Sequence, residues 1–250
     1  MSGHSKWAQI KRQKGVNDAR RGQLFTKVGR EITVAAREGG GDPDGNFRLR
    51  LAIQKAREVN MPQDNIQRAI NRGSGADKEG GQLEELFYEG FGPNGVAMMV
   101  QVLTDNRNRA AADVRNVFTR GGGNMGEAGS VAWMFDQKGL ITVELDSASA
   151  EEAEMAAIDA GADDIQEADG VLEVYTDKAD LDTVRRALDA QKLKIGSAEL
   201  AMVPKTTMEL DEKGATAVAK LVDRLEELDD VQRVYLNTDI PEEILESISG

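Results

Sequence analysis

The fold is decided by the stretch Tyr88–Asn124, which reads YEGFGPNGVAMMVQVLTDNRNRAAADVRNVFTRGGGN. Its glycine-rich turn is followed by Val96–Leu103, an apolar run that is typical of a buried strand. Asp105 or Asn106 can cap the next segment, 108–120, whose apolar residues recur at helical spacing before a glycine triplet. The stretch therefore predicts a β-hairpin followed by a basic helix, which together begin an α+β domain.

The chain beyond this stretch predicts a second α+β domain. Between residues 138 and 204, four strands and two helices are expected in the order β-α-β-β-α-β, which is the ferredoxin-like order. A last helix over 215–228 and a strand over 231–236 cannot bury themselves alone, so we assign them to the domain that contains the hairpin. A third strand of that domain is predicted at Ser130–Phe135.

Before the hairpin, the sequence predicts three short helices, because apolar residues recur at three- and four-residue steps between glycine and proline breaks. The predicted class is a multidomain α+β protein: an N-terminal helical bundle followed by two ferredoxin-like α+β domains, one inserted in the other. The expected parts are a flexible basic arm 1–21, a three-helix domain 22–76, an α+β domain 82–136 plus 205–238, and an inserted domain 137–204.

Charge divides the chain into two unequal parts. Residues 1–75 hold 15 Lys and Arg against 7 Asp and Glu, a net +8. The other 175 residues hold 16 basic and 37 acidic side chains, a net −21, so the whole chain carries −13. A basic head on an acidic body favours a polyanionic partner. The alternative is a chance clustering of charges on a solvated surface.

The arm is the first candidate site, because cations that surround one aromatic ring suit phosphate contact and stacking on an exposed base. Its candidate residues are Lys6, Trp7, Lys11, Arg12, Lys14, Arg20 and Arg21. The alternative is a disordered tail whose Trp7 packs on the domain behind it. In the helical head, Lys27, Arg30, Arg48 and Arg50 are expected on outward faces and are further candidates for binding the phosphates of a nucleic acid.

The basic helix of the domain that contains the hairpin is the other candidate. Arg107 and Arg109 lie at its start, where exposed backbone amides favour an anion such as phosphate. Salt bridges to the acidic body are an equally good interpretation. Arg115 and Arg120 follow on the same helix but not all on one face.

The residues give little support for catalysis. The chain has no cysteine and one histidine, His4, in the arm, so imidazole- and thiol-based nucleophilic schemes lack a packed partner. Two glycine patterns of the type GxGxxG begin at Gly90 and Gly121, but neither follows a strand and opens a helix, as dinucleotide binding requires. Glu89 and Asp105 are the best acid–base candidates, although turn or capping roles fit them better. No cofactor is expected.

No run of 18 apolar residues exists, so no membrane span is expected. The N-terminus lacks the apolar segment of a secretory signal, and with the absence of cysteine this favours a cytoplasmic protein.

Three stretches together resemble the YebC/PmpR family of bacterial proteins. They are MSGHSKWAQIKRQK from residue 1, DARRGQLFTKVGREITVAAREGGGDPDGNFRLRLAIQKAREVNMPQDNIQRAINRG from residue 18, and YEGFGPNGVAMMVQVLTDNRNRAAADVRNVFTRGGGNMGEAGSVAWMF from residue 88. The resemblance runs essentially from end to end. It implies a three-domain cytosolic protein of the type labelled a probable transcriptional regulator.

Within that family, the resemblance implies selective DNA binding for some members and translation for others. The latter include the mitochondrial translational activator of cytochrome oxidase subunit one and relatives implicated in relieving ribosome stalling. The basic arm, the helical head and the loop Thr104–Arg109 are the parts carried over, and no active site is implied.

The sequence therefore predicts a non-enzymatic nucleic-acid-binding regulator of gene expression, with DNA-binding transcriptional control as the first hypothesis. A ribosome-associated translation factor that binds ribosomal or transfer RNA and relieves stalling is the alternative. A metal-assisted hydrolase using Glu89 and Asp105 is the poorest hypothesis. The expected partners are DNA or ribosomal RNA, with ribosomal or other proteins on the acidic domains.

Overall fold

The computed structural model describes residues 18–76, 83–145, 150–168, 170–241 and 243–244; for 18–21 and 168 only the backbone is described. The chain divides into two compact units. One spans Phe135–Lys205, and the other contains the described residues of 18–134 and 206–244. Among the described residues, no helix combines the length and the hydrophobicity that a bilayer-spanning segment needs.

Three helices form the head of the larger unit: α1 (Asp18–Gly39), α2 (Phe47–Glu58) and α3 (Gln63–Gly73). Their apolar faces share one core, whose largest members are Ile32, Leu49, Ile53, Ile66 and Ile70. The expected arm 1–21 is wrong at its end, because 18–21 belong to α1. Alanine and arginine are good helix formers, so residues 19–21 continue α1 past the predicted boundary.

Asn46 joins the first two helices. Its Oδ1 accepts a hydrogen bond from the backbone N–H of Leu49 at 3.0 Å and so caps α2. Its Nδ2 donates to the carbonyl oxygens of Ala35 and Gly40 at 2.7 and 2.8 Å. One buried side chain therefore ends α1 and begins α2.

The hairpin follows the head, with strands β1 (Glu84–Phe91) and β2 (Ala97–Thr104) in antiparallel register. The basic helix α4 (Arg107–Arg120) comes next and leads to a two-residue edge strand, β3 (Asn124–Met125), which pairs with β1. Asn106, rather than Asp105, caps α4 by accepting from the N–H of Arg109.

The predicted strand Ser130–Phe135 is wrong. Residues Ala132–Met134 form a single 3₁₀ turn, and the next strand begins only at Phe135. The Glu89 carboxylate accepts from the backbone N–H groups of Gly129, Val131 and Ala132 at 2.7–2.8 Å. Those N–H groups are therefore bound to one side chain, which bends the segment instead of extending it.

The smaller unit has the elements β4 (Phe135–Glu144), α5 (Ala150–Ala160), β5 (Asp164–Ala168), β6 (Val171–Thr176), α6 (Leu181–Ala190) and β7 (Lys194–Pro204). Its four antiparallel strands are ordered β5-β6-β4-β7, so β6 lies between β4 and β5 and β4 lies between β6 and β7, as in ferredoxin-like folds. The residues of this unit carry 17 acidic and 7 basic side chains, a net −10.

The chain then returns to the larger unit with α7 (Glu212–Glu226) and β8 (Val231–Leu236). Strand β8 pairs with β2, which gives a second antiparallel sheet ordered β3-β1-β2-β8. Helices α4 and α7 pack on one face of this sheet around Phe118, Leu221 and Met98. The predicted α+β class is confirmed. The two sheets differ in order along the chain: the sheet of the larger unit begins with the hairpin β1–β2, whereas the smaller unit has a helix after its first strand.

Candidate nucleic-acid interface

The predicted arm residues Lys6, Trp7, Lys11, Arg12 and Lys14, and also His4, lie outside the described residues. Arg20 and Arg21 lie in the first turns of α1, where only the backbone is described. Their proposed contact with nucleic acid therefore stays a prediction.

Two cations of α1 face the sheet β3-β1-β2-β8 and its helices α4 and α7, which we call the sheet domain, instead of an open surface. Lys27 Nζ donates to the carbonyl oxygen of Glu226 at 2.6 Å, at the C-terminal end of α7. Arg30 Nη1 donates to the carbonyl oxygens of Asp229 and Leu103 at 2.6 and 3.2 Å. The end of a helix is its negative pole, so these contacts attach the head to the sheet domain electrostatically.

Asp230 is the centre of this attachment. Its Oδ1 lies 2.5 Å from Arg30 Nη1, and its Oδ2 accepts from Arg109 Nη2 and Thr104 Oγ1, each at 2.9 Å. The residue is 8% exposed. Burial opposes ionisation, but the hydrogen bonds from Arg109 and Thr104 and the charges of Arg30 and Arg109 hold the pKa of Asp230 below its usual value.

The α2 cations are also engaged. Arg48 binds Glu38 at 2.6 Å and Glu85 at 2.9 Å; burial opposes its charge, but these carboxylates, Glu85 first, raise its pKa above the usual value. Arg50 Nη1 donates to the carbonyl oxygens of Pro43 and Asp44 at 2.7 and 2.8 Å. These arginines order the α1–α2 connection and its contact with β1.

Arg107 and Arg109 differ in their availability. Arg107 is 68% exposed, and its Nε lies 3.6 Å from Glu84 Oε2. Arg109 binds both Asp105 at 2.9 Å and Asp230, and hydrogen bonds to Asp230 and then Asp105 raise its pKa. The capping contact of Asn106 also occupies the N–H of Arg109. Arg107 is therefore the more open of the two for an anion.

Other exposed arginines were not selected from the sequence. Arg57, Arg68 and Arg72 of the head are exposed and form no ion pair among the described residues, and the same holds for Arg115 and Arg120 of α4. Every Lys or Arg of residues 83–134 lies on α4. Helical spacing could have found the head arginines of α3, because the apolar residues of that helix mark the opposite face.

Glu89 lies on β1 and holds the loop after β3 through its carboxylate. It is 7% exposed and accepts the three backbone hydrogen bonds described above. Burial opposes its charge, but the three N–H groups outweigh burial and lower the pKa of Glu89. A carboxylate with its oxygens occupied and a lowered pKa is poorly suited to act as a general base.

The two glycine patterns pack against each other. A Cβ on Gly90 would lie 2.6 Å from the carbonyl oxygen of Asn124, and one on Gly123 would lie 2.6 Å from that of Phe91. These glycines allow β1 and the segment before β3 to approach closely, which explains them without a nucleotide. Within the described ranges, no cluster of three His, Cys, Asp or Glu could hold a metal ion.

Comparison with known proteins gives two family matches. Residues 5–76 match the family described as "TACO1/YebC protein N-terminal domain", and residues 83–238 match "TACO1/YebC second and third domain". A protein of Chloroflexus aurantiacus is 56% identical over 248 residues, which cover 98% of each chain. One from Moorella thermoacetica is 55% identical over 251 residues, covering 99% of each. Both are named "Probable transcriptional regulatory protein".

A solved structure is similar over most of its length. It is the crystal structure of a conserved hypothetical protein, Aq1575, from Aquifex aeolicus, with a TM-score of 0.84 and 48% identity. The match covers 91% of this chain and 94% of that one. Since the family matches and the full-length relatives together span the helical head and both sheet domains, this chain belongs to the TACO1/YebC family.

Proposed function

We propose that this protein is a non-enzymatic regulator of gene expression that binds nucleic acid through its basic N-terminal part. The observation that carries the proposal is the separation of charge, +8 over residues 1–75 against −21 over the rest. Neutralising phosphates releases condensed counterions, which supplies affinity without sequence information. The names of the relatives as probable transcriptional regulatory proteins support the same role.

The contacts of the head divide its cations into two groups. Lys27, Arg30 and Arg48 bind carbonyl and carboxylate oxygens of the larger unit. Arg57, Arg68 and Arg72 form no ion pair among the described residues and are exposed. We therefore assign contact with nucleic acid to the second group, phosphate contact to Lys6, Lys11, Arg12 and Lys14, and base stacking to Trp7.

Salt titration of binding tests the proposal with the full-length protein and a duplex of about 30 base pairs. The triple variant Lys11→Ala, Arg12→Ala and Lys14→Ala should bind more weakly than the wild type. The slope of log K against log salt should fall by about 0.9 for each phosphate that the variant no longer neutralises.

The matched control for this titration removes three exposed cations of α7 that form no ion pair among the described residues: Lys213, Lys220 and Arg224. Because these cations lie outside the basic head, the control should keep the wild-type slope. An unchanged slope in the arm variant would contradict the role of the arm.

DNA is the first target and the ribosome the second. The second is favoured by the smaller unit, whose net charge is −10 and whose helix α5 exposes Met155 and Ile158 at 62% and 64%. An acidic surface with apolar residues suits basic ribosomal proteins. Cosedimentation with ribosomes through sucrose, abolished at raised salt, would support this target. A footprint on duplex DNA that survives competitor DNA would support the first.

A further inference from the structure

The connection between α2 and α3 has a defined geometry. The segment 59–62 joins the two helices, and Asn60 takes the left-handed conformation with φ of 58°. The N–H of Met61 donates to the carbonyl oxygen of Ala56 at 2.8 Å, and that of Asn60 to Arg57 at 2.9 Å. This is a helix C-terminus of the Schellman type, in which Met61, 6% exposed, packs into the core. The turn therefore fixes the direction in which α3 leaves α2.

Helix α3 is held on α1 by its buried face. Ile66, Ala69 and Ile70 are buried, and Thr33 Oγ1 of α1 donates to the carbonyl oxygen of Ala69 at 3.2 Å. A Cβ on Gly73 would lie only 2.2 Å from the carbonyl oxygen of Thr33, so the two backbones are in close approach. The opposite face of α3 is thus presented in a fixed orientation.

That opposite face is rich in amide and arginine side chains. Residues 63–73 contain four amides and two arginines, and Asp64 in the first turn is their one acidic residue. The exposed positions include Gln67, Arg68 and Arg72, with Asn71 partly exposed between them. Gln67 Nε2 donates to Asn71 Oδ1 at 2.9 Å, so the two amides are aligned along the helix.

Amide and arginine side chains are the types that most often bind base edges in protein–DNA complexes. Arginine makes paired hydrogen bonds to guanine in the major groove, and glutamine or asparagine makes them to adenine. The major groove of duplex DNA admits one α-helix, and a second helix joined by a short turn crosses the backbone beside it. Arg57 near the end of α2 is exposed and is available for a phosphate there.

We propose that α2, the turn 59–62 and α3 form a helix-turn-helix reader of duplex DNA, with α3 in the major groove. Gln67, Asn71 and Arg72 contact base edges, and Arg57 contacts the backbone. This inference rests on the proposed function, because it assigns sequence selection to one surface of the same basic head.

Selection from a pool of DNA duplexes with a randomised central segment tests this, using the full-length protein. Wild-type protein should enrich one short motif. Arg72→Ala, and separately the pair Gln67→Ala and Asn71→Ala, should lower the preference for that motif over random duplex by roughly ten-fold or more. Affinity for random duplex should change much less in the amide variant. The three altered side chains lie outside the core, and thermal unfolding verifies that each variant is folded.

The matched control is Gln54→Ala on α2. Gln54 is an exposed amide that also bonds a side chain four residues on, Glu58 at 3.3 Å, but it lies outside α3. The preference of the Gln54→Ala protein for the motif should equal that of the wild type.

Two results would overturn this inference and leave the proposed function standing. In the first, wild-type protein binds polynucleotides in a salt-dependent way but enriches no duplex motif. In the second, both α3 variants keep the wild-type preference for the motif. If wild-type protein binds neither duplex DNA nor RNA in dilute buffer, both fail.

Discussion

Arg30 and Arg109 bind opposite oxygens of one carboxylate, that of Asp230, at 2.5 and 2.9 Å. Arg30 lies on α1 and Arg109 on α4, so a single acidic side chain connects the helical head to the sheet domain. Both arginines were selected from the sequence as phosphate ligands. The ion pairs with Asp230 give both arginines a structural role in addition to the predicted one. That role is stronger for Arg30, whose side chain is 20% exposed, than for Arg109, whose side chain is 47% exposed.

Replacing Asp230 should destabilise the larger unit. Asp230→Ala leaves Arg30 and Arg109 without their shared partner, and removing one side of a buried ion pair costs about 3 kcal/mol. Urea unfolding should show a lower midpoint with an unchanged slope. Asp229→Ala is the control, since its exposed side chain forms no ion pair among the described residues; it should change stability by less than about 0.5 kcal/mol. Equal effects of the two variants would contradict the role of Asp230.

Glu89 should make stability depend on acid pH. Its pKa is lowered in the folded state, so the unfolded chain binds a proton first as pH falls. The stabilisation is complete above the unfolded pKa of about 4.3 and is lost as pH falls through the lower folded value. Glu89→Gln should cost about 2 kcal/mol at pH 7 and should lose less further stability on acidification.

The measurement for Glu89 is urea unfolding of both proteins from pH 7 to pH 3. Glu127→Gln serves as the control, because Glu127 is an exposed carboxylate in the loop whose N–H groups Glu89 binds. It should follow the wild-type pH dependence. A Glu89→Gln protein that loses stability with acid as steeply as wild type would contradict the three-bond arrangement.

Two glycines of the head should respond in opposite directions to alanine. Gly73→Ala brings a Cβ to 2.2 Å from the carbonyl oxygen of Thr33 and should destabilise by about 1–3 kcal/mol. Gly29 lies within α1, and a Cβ added there would meet no atom within 4 Å, so Gly29→Ala should stabilise by about 0.4–1 kcal/mol. Thermal unfolding measures both, and a stabilised Gly73→Ala would refute the close approach of α1 and α3.

The turn before α3 should require a residue that tolerates positive φ. Asn60→Val places a β-branched side chain at φ of 58° and should destabilise by about 1–2 kcal/mol or more. Asn60→Gly adopts this conformation without strain and should remain within about 0.5 kcal/mol of wild type. Thermal unfolding of the two variants distinguishes a conformational requirement from a role of the amide group itself. If the amide group were what matters, both variants would lose the same stability.

The hairpin and the helix α4 could be predicted because their signals are local. The turn residues before Val96 and the glycines after Arg120 act within a few positions of the chain. The segment at Ser130 could not be predicted, since its apolar pattern suits a strand while its backbone N–H groups bind Glu89, about 40 residues earlier.

The candidate site follows the same division. Composition and spacing identified which residues are cationic, because charge can be counted along the chain. They could not tell that Lys27 would meet the end of α7, 199 residues later, or that Arg48 would meet Glu85. They also left Arg68 and Arg72 unselected, although the helical spacing of Ile66 and Ile70 already marks the opposite face of α3 as the exposed one.

The sequence by itself determined the α+β class, the family and the separation of a basic head from an acidic body. These depend on composition, periodicity and local turns, which need no folded neighbour. Only the tertiary structure decided which cations are bound inside the protein and which remain at its surface. That choice depends on partners distant in sequence, such as Asp230 for Arg30, and a charge acts through space rather than along the chain.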